Sequence, residues 1–530
     1  MEKILHLILV FISGNVFAQT VPAIIPKPVK LVAAKGFFQL NSEKTIGFND
    51  SRLKQSIYYL QNQLLRQRGI TIQQNTASPA IRLSVEPKKR GADSAAYKIS
   101  VKPNHILISA SHPNGIFYGL ITVLQMALTS EGNKIPVCEI NDSPAYSWRG
   151  FMLDESRHFF GKQKVKSILD WMAFYKLNTF HWHLTDEPGW RLEIKKYPKL
   201  SLVGGIGDYL NPNLPAQFYT QADINEIVAY AAERYITVIP EIDMPGHATA
   251  ANMAYPEYSG GGSAAHPAFT FNPGLESTYG YLTNILKETN VLFPSGLIHL
   301  GGDEVSFGNE KWKVNPDILK LKLREHLKDE TAVERYFMKR MADSVYHLNA
   351  KALLWDEMAD TDLPKDKTII FWWRHDKPVQ LQTALSKGYQ TVLCPRLPLY
   401  LDFVQDSTHR YGRKWNKLYN PIESVYNFDA KSFAQIDKEK SLILGIQANI
   451  WTETVDNEFR LDYLLFPRIA ALAEAAWTEA KNKDFKQFNT RMQPHFLLYG
   501  KAGLYYYNPA KPLQNPELPV KSKQSLDYKD

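Results

Sequence analysis

Cysteine is nearly missing from this chain: Cys138 and Cys394 are the only two in 530 residues. That is too few for a disulfide framework. One bridge between such distant positions is arithmetically open, but two unpaired buried thiols are the simpler reading. Apolar runs long enough to cross a bilayer are also lacking. The apolar core Leu5 to Ile12 is short, follows Lys3 and precedes the small-residue site Val16-Phe17-Ala18. Residues 1–18 therefore read as a secretory signal peptide, with a periplasmic or secreted product expected. No Cys follows that core, which argues against a lipid anchor. Blocks of one charge are absent too. The net charge of +8 is spread along the chain, with no basic stripe to suit nucleic acid. Neither internal repeats nor low-complexity stretches occur.

What remains is ordinary for a globular protein, with 44% hydrophobic and 22% charged residues. The length allows a large core and two domains. Aromatics are plentiful at 11 Trp and 28 Tyr, which suits stacking on sugar faces as well as packing. Strand patterns at Ala80–Val85, Tyr97–Val101 and Ile106–Ala110 precede a helix over Gly115–Leu128, whose apolar face carries Ile116, Leu120, Val123 and Leu124. These make residues 19–143 a compact α+β domain. Asn141-Asp142-Ser143-Pro144 is turn chemistry and marks its end.

Strand and helix signals then alternate through residues 144–505, leaving 506–530 as a C-terminal tail. Eight strands are predicted: Arg149–Leu153, Thr179–Leu184, Ile236–Glu241, Leu297–Leu300, Ala352–Trp355, Thr368–Trp373, Thr391–Cys394 and Leu442–Gln447. Helical patterns such as Lys164–Tyr175, Gln221–Glu233, Ser277–Glu288 and Ala332–Leu348 lie between them. The alternation predicts an α/β fold with a (β/α)8 TIM barrel as catalytic domain. The segment between Asp402 and Ser441 is irregular, so the seventh helix is the weakest signal. A barrel gathers polar residues from the ends of its strands at one mouth, and nearly every predicted strand ends with them.

The most telling end is His299-Leu300-Gly301-Gly302-Asp303-Glu304. Neighbouring side chains on a regular strand face opposite ways. At a strand terminus relaxed by two glycines, Asp303 and Glu304 can both turn into one pocket.

Several strings accompany this one in order: Trp148 to Asp154, Arg157-His158-Phe159, His181-Trp182-His183-Leu184-Thr185-Asp186, Pro240 to His247, Tyr400-Leu401-Asp402 and Trp451-Thr452-Glu453-Thr454. Together they resemble a family 20 glycoside hydrolase, a β-N-acetylhexosaminidase. Glu187-Pro188 departs from the Asp-Gln that members often carry there. The resemblance implies an exo-acting, retaining, substrate-assisted hydrolysis that removes terminal nonreducing GlcNAc or GalNAc. The substrate's own acetamido oxygen attacks the anomeric carbon, giving an oxazolinium intermediate. By the same resemblance Glu304 is the acid/base, Asp303 stabilises the acetamido nitrogen, and Tyr400 aligns the acetamido oxygen. His247 and Asp186 form a relay behind the acid. Arg149 is the expected ligand of O3 and O4, Glu453 of O4 and Asp402 of O6, while Trp355, Trp373 and Trp451 wall the sugar. Trp372 and Trp373 alternate on one strand, so one of them alone can face the site. No cofactor and no metal is implied; the expected partner is a glycan ending in β-linked N-acetylhexosamine, with neither nucleic acid nor a membrane span.

Three other readings compete. His181-Trp182-His183 puts two imidazoles on one strand face, as in barrel metallohydrolases, but leaves the acids and Trp residues at other strand ends without purpose. A noncatalytic glycan-binding barrel would be expected to have lost the acid, and Glu304 is present. A disaccharide-releasing relative of the lacto-N-biosidase type needs a roomier pocket than Glu453 and Asp402 suggest. The loop Ser259 to Ser263 is glycine-rich and reads as a linker or a mobile rim to the aglycone side.

Overall fold

The computed structural model describes residues 22–87, 93–519 and 521. The expected signal peptide over 1–18 and the end of the tail lie outside the described residues. Two cores form along the chain. Residues Lys30–Asp142 build a seven-stranded mixed sheet that includes Ile81–Val85, Tyr97–Val101 and Ile106–Ala110. Against it lies helix α1, Pro113–Thr129, opened by a proline whose missing N–H costs nothing in the first turn. Every residue of α1 from Gly115 to Leu128 is buried. A helix apolar on all sides must be covered on all sides. The sheet covers one face of α1, and the floor of the second core approaches another.

That second core is a closed barrel of eight parallel strands. They are β1 (Trp148–Asp154), β2 (Thr179–His183), β3 (Thr237–Glu241), β4 (Leu297–His299), β5 (Lys351–Trp355), β6 (Thr368–Trp372), β7 (Gln390–Leu393) and β8 (Ile443–Ile450). β8 closes on β1 through pairs running from Gly445–Trp148 to Ile450–Leu153. The strands are buried on both faces, hence their near-continuous apolar sequences. Met152, Ile239, Leu353, Ile369, Phe371 and Val392 pack into one interior cluster. Both cysteines are buried and free. Among the described residues no helix is long and apolar enough to cross a membrane.

The segment after β7 is irregular as expected, forming the short helix Ile422–Asn427 and brief turns, and its Arg413 lines the mouth. One expectation changes. The glycine-rich stretch is not a loose rim. Ser259–Gly261 pairs antiparallel with Thr270–Phe271, and Gly260 packs so closely that a Cβ there would sit 2.9 Å from Trp312 Nε1.

Arg149 shows how the two cores join. It is the second residue of β1, so it sits at the bottom of the barrel. Its guanidinium donates to the carbonyls of Lys176 (2.8 Å) and Tyr146 (3.0 Å) and to Tyr118 Oη on α1 (3.0 Å), and it lies over the Trp477 ring. Nearby, Asp142 accepts from Tyr97 Oη and Trp477 Nε1, and Lys176 Nζ lies 3.5 Å away. The N-terminal domain therefore plugs the barrel floor with a buried polar seal.

Candidate active site

At the opposite end, where the strands terminate, a cavity of about 760 Å³ opens. That is the end where barrel enzymes place their chemistry. The segments after β2 and β3 bring Asp186 and His247 to it, and β4 leads into Asp303 and Glu304. Trp355 ends β5, and Trp373 follows β6 directly. The segments after β7 and β8 add Tyr400, Trp451 and Glu453. Trp372 points the other way and packs on Phe433.

The glycine pair does what its position suggested. Gly301 and Gly302 have φ of 67° and 90°, and a Cβ on Gly301 would fall 1.7 Å from Asp243 Oδ1. Only glycine fits there. Glu304 itself is left-handed at φ 52°, an unusual conformation for a side-chain-bearing residue at a site held by its surroundings. As a result both carboxylates converge on one imidazole. His247 Nε2 lies 3.8 Å from Asp303 Oδ2 and 3.7 Å from Glu304 Oε2.

Behind them stands a chain of charge. His247 Nδ1 is 3.0 Å from Asp186 Oδ1, while Asp186 Oδ2 receives Arg157 Nη1 at 2.6 Å and faces His183 Nε2 at 2.9 Å. Burial disfavours a charged Asp186, but Arg157 and His247 outweigh it and hold the carboxyl well below its usual range. Burial likewise opposes a charged His247, and Asp186 with the neighbouring carboxylates raises it well above an ordinary histidine. The acids respond in the other direction. Burial pushes Asp303 up to about 8, with His247 pulling down and Glu357 pushing further up. Glu304 is raised by burial too, against His247 and with Glu357. Asp303 Oδ1 is buried, and among the described residues no donor reaches it. A ligand N–H delivered there would satisfy it and favour the carboxylate form.

The aromatic wall is fixed from behind. Trp355 Nε1 donates to Glu241 Oε1 at 2.8 Å, and Trp373 Nε1 donates to Glu357 Oε2 at 3.1 Å. Trp373 stacks nearly parallel to Tyr400, at 11° between planes, and Trp451 flanks both Tyr400 and Trp355. Away from the acids the cavity is charged. Arg413 Nη2 donates to Glu453 Oε1 at 2.5 Å, Arg157 Nη2 comes within 4.0 Å of the same oxygen, and the Arg157 guanidinium lies over Trp451.

The placement of Arg149 as a sugar ligand is corrected by this geometry: it lies at the barrel floor, hydrogen-bonded to backbone and Tyr118, and does not line the cavity. Arg157, in the quoted string Arg157-His158-Phe159, occupies the mouth instead. Its place after the strand end was the available signal. Asp402 is displaced by one layer. It is fully buried outside the cavity lining, accepts from Trp451 N, and is pushed to about 7 by burial against Arg413. Arg413 was missed because it lies in the irregular segment, where no period marks position. Glu357 was passed over as the tail of Trp355-Asp356-Glu357.

The two imidazoles on β2 fall into two buried clusters, His181 with Glu241 and His299, and His183 with Asp186 and Asp243, the ligand atoms of each lying within 4.8 Å of one another. His183 spends Nδ1 on Glu241 (2.6 Å) and Nε2 on Asp186 (2.9 Å). His181 spends Nδ1 on Gln447 and faces Glu241 with Nε2.

Comparison with known proteins gives the family. Residues 146–480 match the description "Glycosyl hydrolase family 20, catalytic domain", and residues 21–143 match "Glycosyl hydrolase family 20, domain 2". A β-hexosaminidase of Porphyromonas gingivalis is 32% identical over 536 residues; the match spans 96% of this chain and 66% of that longer protein. The solved exo β-N-acetylglucosaminidase of Vibrio harveyi, in complex with N-acetylglucosamine, superposes with a TM-score of 0.85 at 32% identity, covering 92% of this chain and 78% of that one. The Streptomyces plicatus N-acetyl-β-hexosaminidase gives a TM-score of 0.81 at 27% identity, covering 92% and 97%. With both domains matched and the acid pair seated at the barrel mouth, the chain belongs to glycosyl hydrolase family 20.

Proposed function

We propose that this glycosidase removes a terminal β-linked N-acetylhexosamine with retention of configuration, the substrate's acetamido group serving as nucleophile. One observation carries the reading: the unsatisfied buried oxygen of Asp303 stands beside Glu304 inside an aromatic box. Adjacent residues converging on one imidazole cannot flank a sugar from opposite faces, as an acid and a carboxylate nucleophile must. A group supplied by the substrate resolves this. With the acetamide N–H on Asp303 and its oxygen held near Tyr400, intramolecular attack on C1 gains high effective concentration. Glu304, kept protonated by burial, gives its proton to the leaving oxygen. As a carboxylate it then takes a proton from the water that opens the oxazolinium. The Asp303 carboxylate stabilises the positive charge that grows on the acetamido nitrogen. His247 and Asp186 fix the field around both acids, and Arg157 with Glu453 would hold the hydroxyls of the nonreducing end. Charged groups closing that end favour release of one residue over a disaccharide.

The experiment is product analysis by NMR during hydrolysis of a β-GlcNAc glycoside, together with binding of NAG-thiazoline. The β-anomer should appear first, and the thiazoline should bind far more tightly than GlcNAc. Initial α-product, or a glycosyl ester trapped on a side chain, would refute the mechanism. We also propose export directed by residues 1–18, testable by the mass of the N-terminus of the mature protein.

A further inference from the structure

A second, smaller cleft of about 170 Å³ lies outside the barrel, where the N-terminal domain meets the helices around it. Three helices frame it. Lys54–Arg68 presents Tyr59, Gln63 and Gln67 at i, i+4 and i+8. Lys162–Phe174, which follows β1, presents Ser167, Asp170, Trp171 and Phe174 at i, i+3, i+4 and i+7. Leu498 on Phe485–Lys501 and Leu128 near the end of α1 close the third side. Facing stripes on packed helices are ordinarily apolar throughout. Here the floor alone is: Tyr59, Leu128, Phe174 and Leu498 are buried. Above it Gln63, Ser167 and Trp171 are half-buried and Gln67 is exposed. Neither amide, nor the Ser167 hydroxyl, nor the Trp171 indole N–H has a hydrogen-bond partner among the described residues. The indole is pinned by the rings of Phe174, Tyr175, Phe466 and Tyr499, with centroids 5.1 to 6.0 Å away. Asp170, the one charged residue of the lining, is already spent on Tyr230 Oη at 2.9 Å and Arg234 Nε at 2.7 Å.

A fixed indole over an apolar floor, ringed by unspent polar groups, has the make-up of a small-ligand site. We propose that this cleft binds an N-acetylhexosamine unit of a glycan without cleaving it. The chemistry of the lining selects that class. A phosphate or a metal ion finds no free charge in the cleft. An apolar ligand would cover two amides and a hydroxyl and return no hydrogen bond to them. A pyranose lays C–H groups on the indole and offers hydroxyls to Ser167, Gln63 and Gln67. Its acetamido group pairs with a glutamine amide as donor and acceptor at once. The space suits one sugar unit, so a longer glycan would extend out of the cleft. This lining shares no residue with the cavity around Glu304, so the site anchors a glycan independently of the reaction.

The test is calorimetric titration of the β-1,4-linked GlcNAc trisaccharide into full-length Glu304→Gln, which holds the sugar without turnover. Two sites per chain are expected, one at the mouth and one in this cleft. Gln63→Leu keeps the packing and removes an amide, and Ser167→Trp fills the cleft from a half-buried position. Added singly to Glu304→Gln, each should weaken the second event roughly tenfold or abolish it while the mouth event stays. With Glu304 restored, both variants should hydrolyse a chromogenic GlcNAc glycoside within about twofold of the parent, which reports that they are folded. A single site per chain before either substitution overturns the proposal, and so does a second event that survives both. Binding of octanol in the cleft in place of the trisaccharide also overturns it, assigning the space to an apolar ligand. Loss of the mouth event alone counts against the hydrolase reading and leaves this site standing.

Discussion

Two arginines separate stability from catalysis, and exchanging each for lysine tests the assignment of the mouth. Arg157 presents a fork between Asp186 at 2.6 Å and Glu453 at 4.0 Å while stacked on Trp451. Arg157→Lys keeps the charge but loses the planar pair of donors. Losing one charge-assisted bond to a sugar hydroxyl costs about 1.5–3 kcal/mol, so kcat/KM should fall roughly 10- to 100-fold. Arg149 instead satisfies buried acceptors on Lys176, Tyr146 and Tyr118. A lysine there reaches fewer of them. Each abandoned acceptor costs about 1–3 kcal/mol, so Arg149→Lys should lose about 2–4 kcal/mol of stability. Its KM should stay within about twofold of the parent, because the sugar never meets it. The assay pairs urea unfolding with initial rates on a chromogenic GlcNAc glycoside. A raised KM without loss of stability in Arg149→Lys, beside normal kinetics in Arg157→Lys, would refute this placement of the sugar.

Glu304→Gln should lose about 10²- to 10⁴-fold on glycosides with poor leaving groups and less on activated aryl glycosides, read from kcat on each. Asp303→Asn should lower kcat by roughly 10²–10³ with a smaller change in KM, since its charge counts most once the oxazolinium forms. Glu357 raises the proton affinity of both acids, so Glu357→Gln lowers it. Activity that needs protonated Glu304 is lost as pH rises through its pKa, and the alkaline limb of kcat/KM in that variant should therefore move to lower pH. EDTA should leave the rate on an aryl glycoside unaltered, whereas a metal-dependent reaction would be inhibited.

The chain's own pattern was enough for the barrel. Eight apolar runs, spaced by helical periods, leave few other ways to bury both faces of each strand, and all eight appear within a few residues of their expected bounds. The acid pair was legible for a similar reason, because two glycines before two carboxylates allow both to turn inward. Even the error over Arg149 conflicts with a rule the sequence contains: a residue that opens a strand belongs to the barrel floor. Other features had no local signal. Arg413 enters from a segment without periodicity, and Glu357 matters through contacts made in the fold, accepting from Trp373 Nε1 at 3.1 Å and raising the proton affinity of both acids. The depth of Asp402, the convergence of both acids on His247 and the cleft beside Trp171 depend on distances between elements. Periodicity encodes which side of an element is buried; only packing of those elements decides which charges meet and how far each is taken from water.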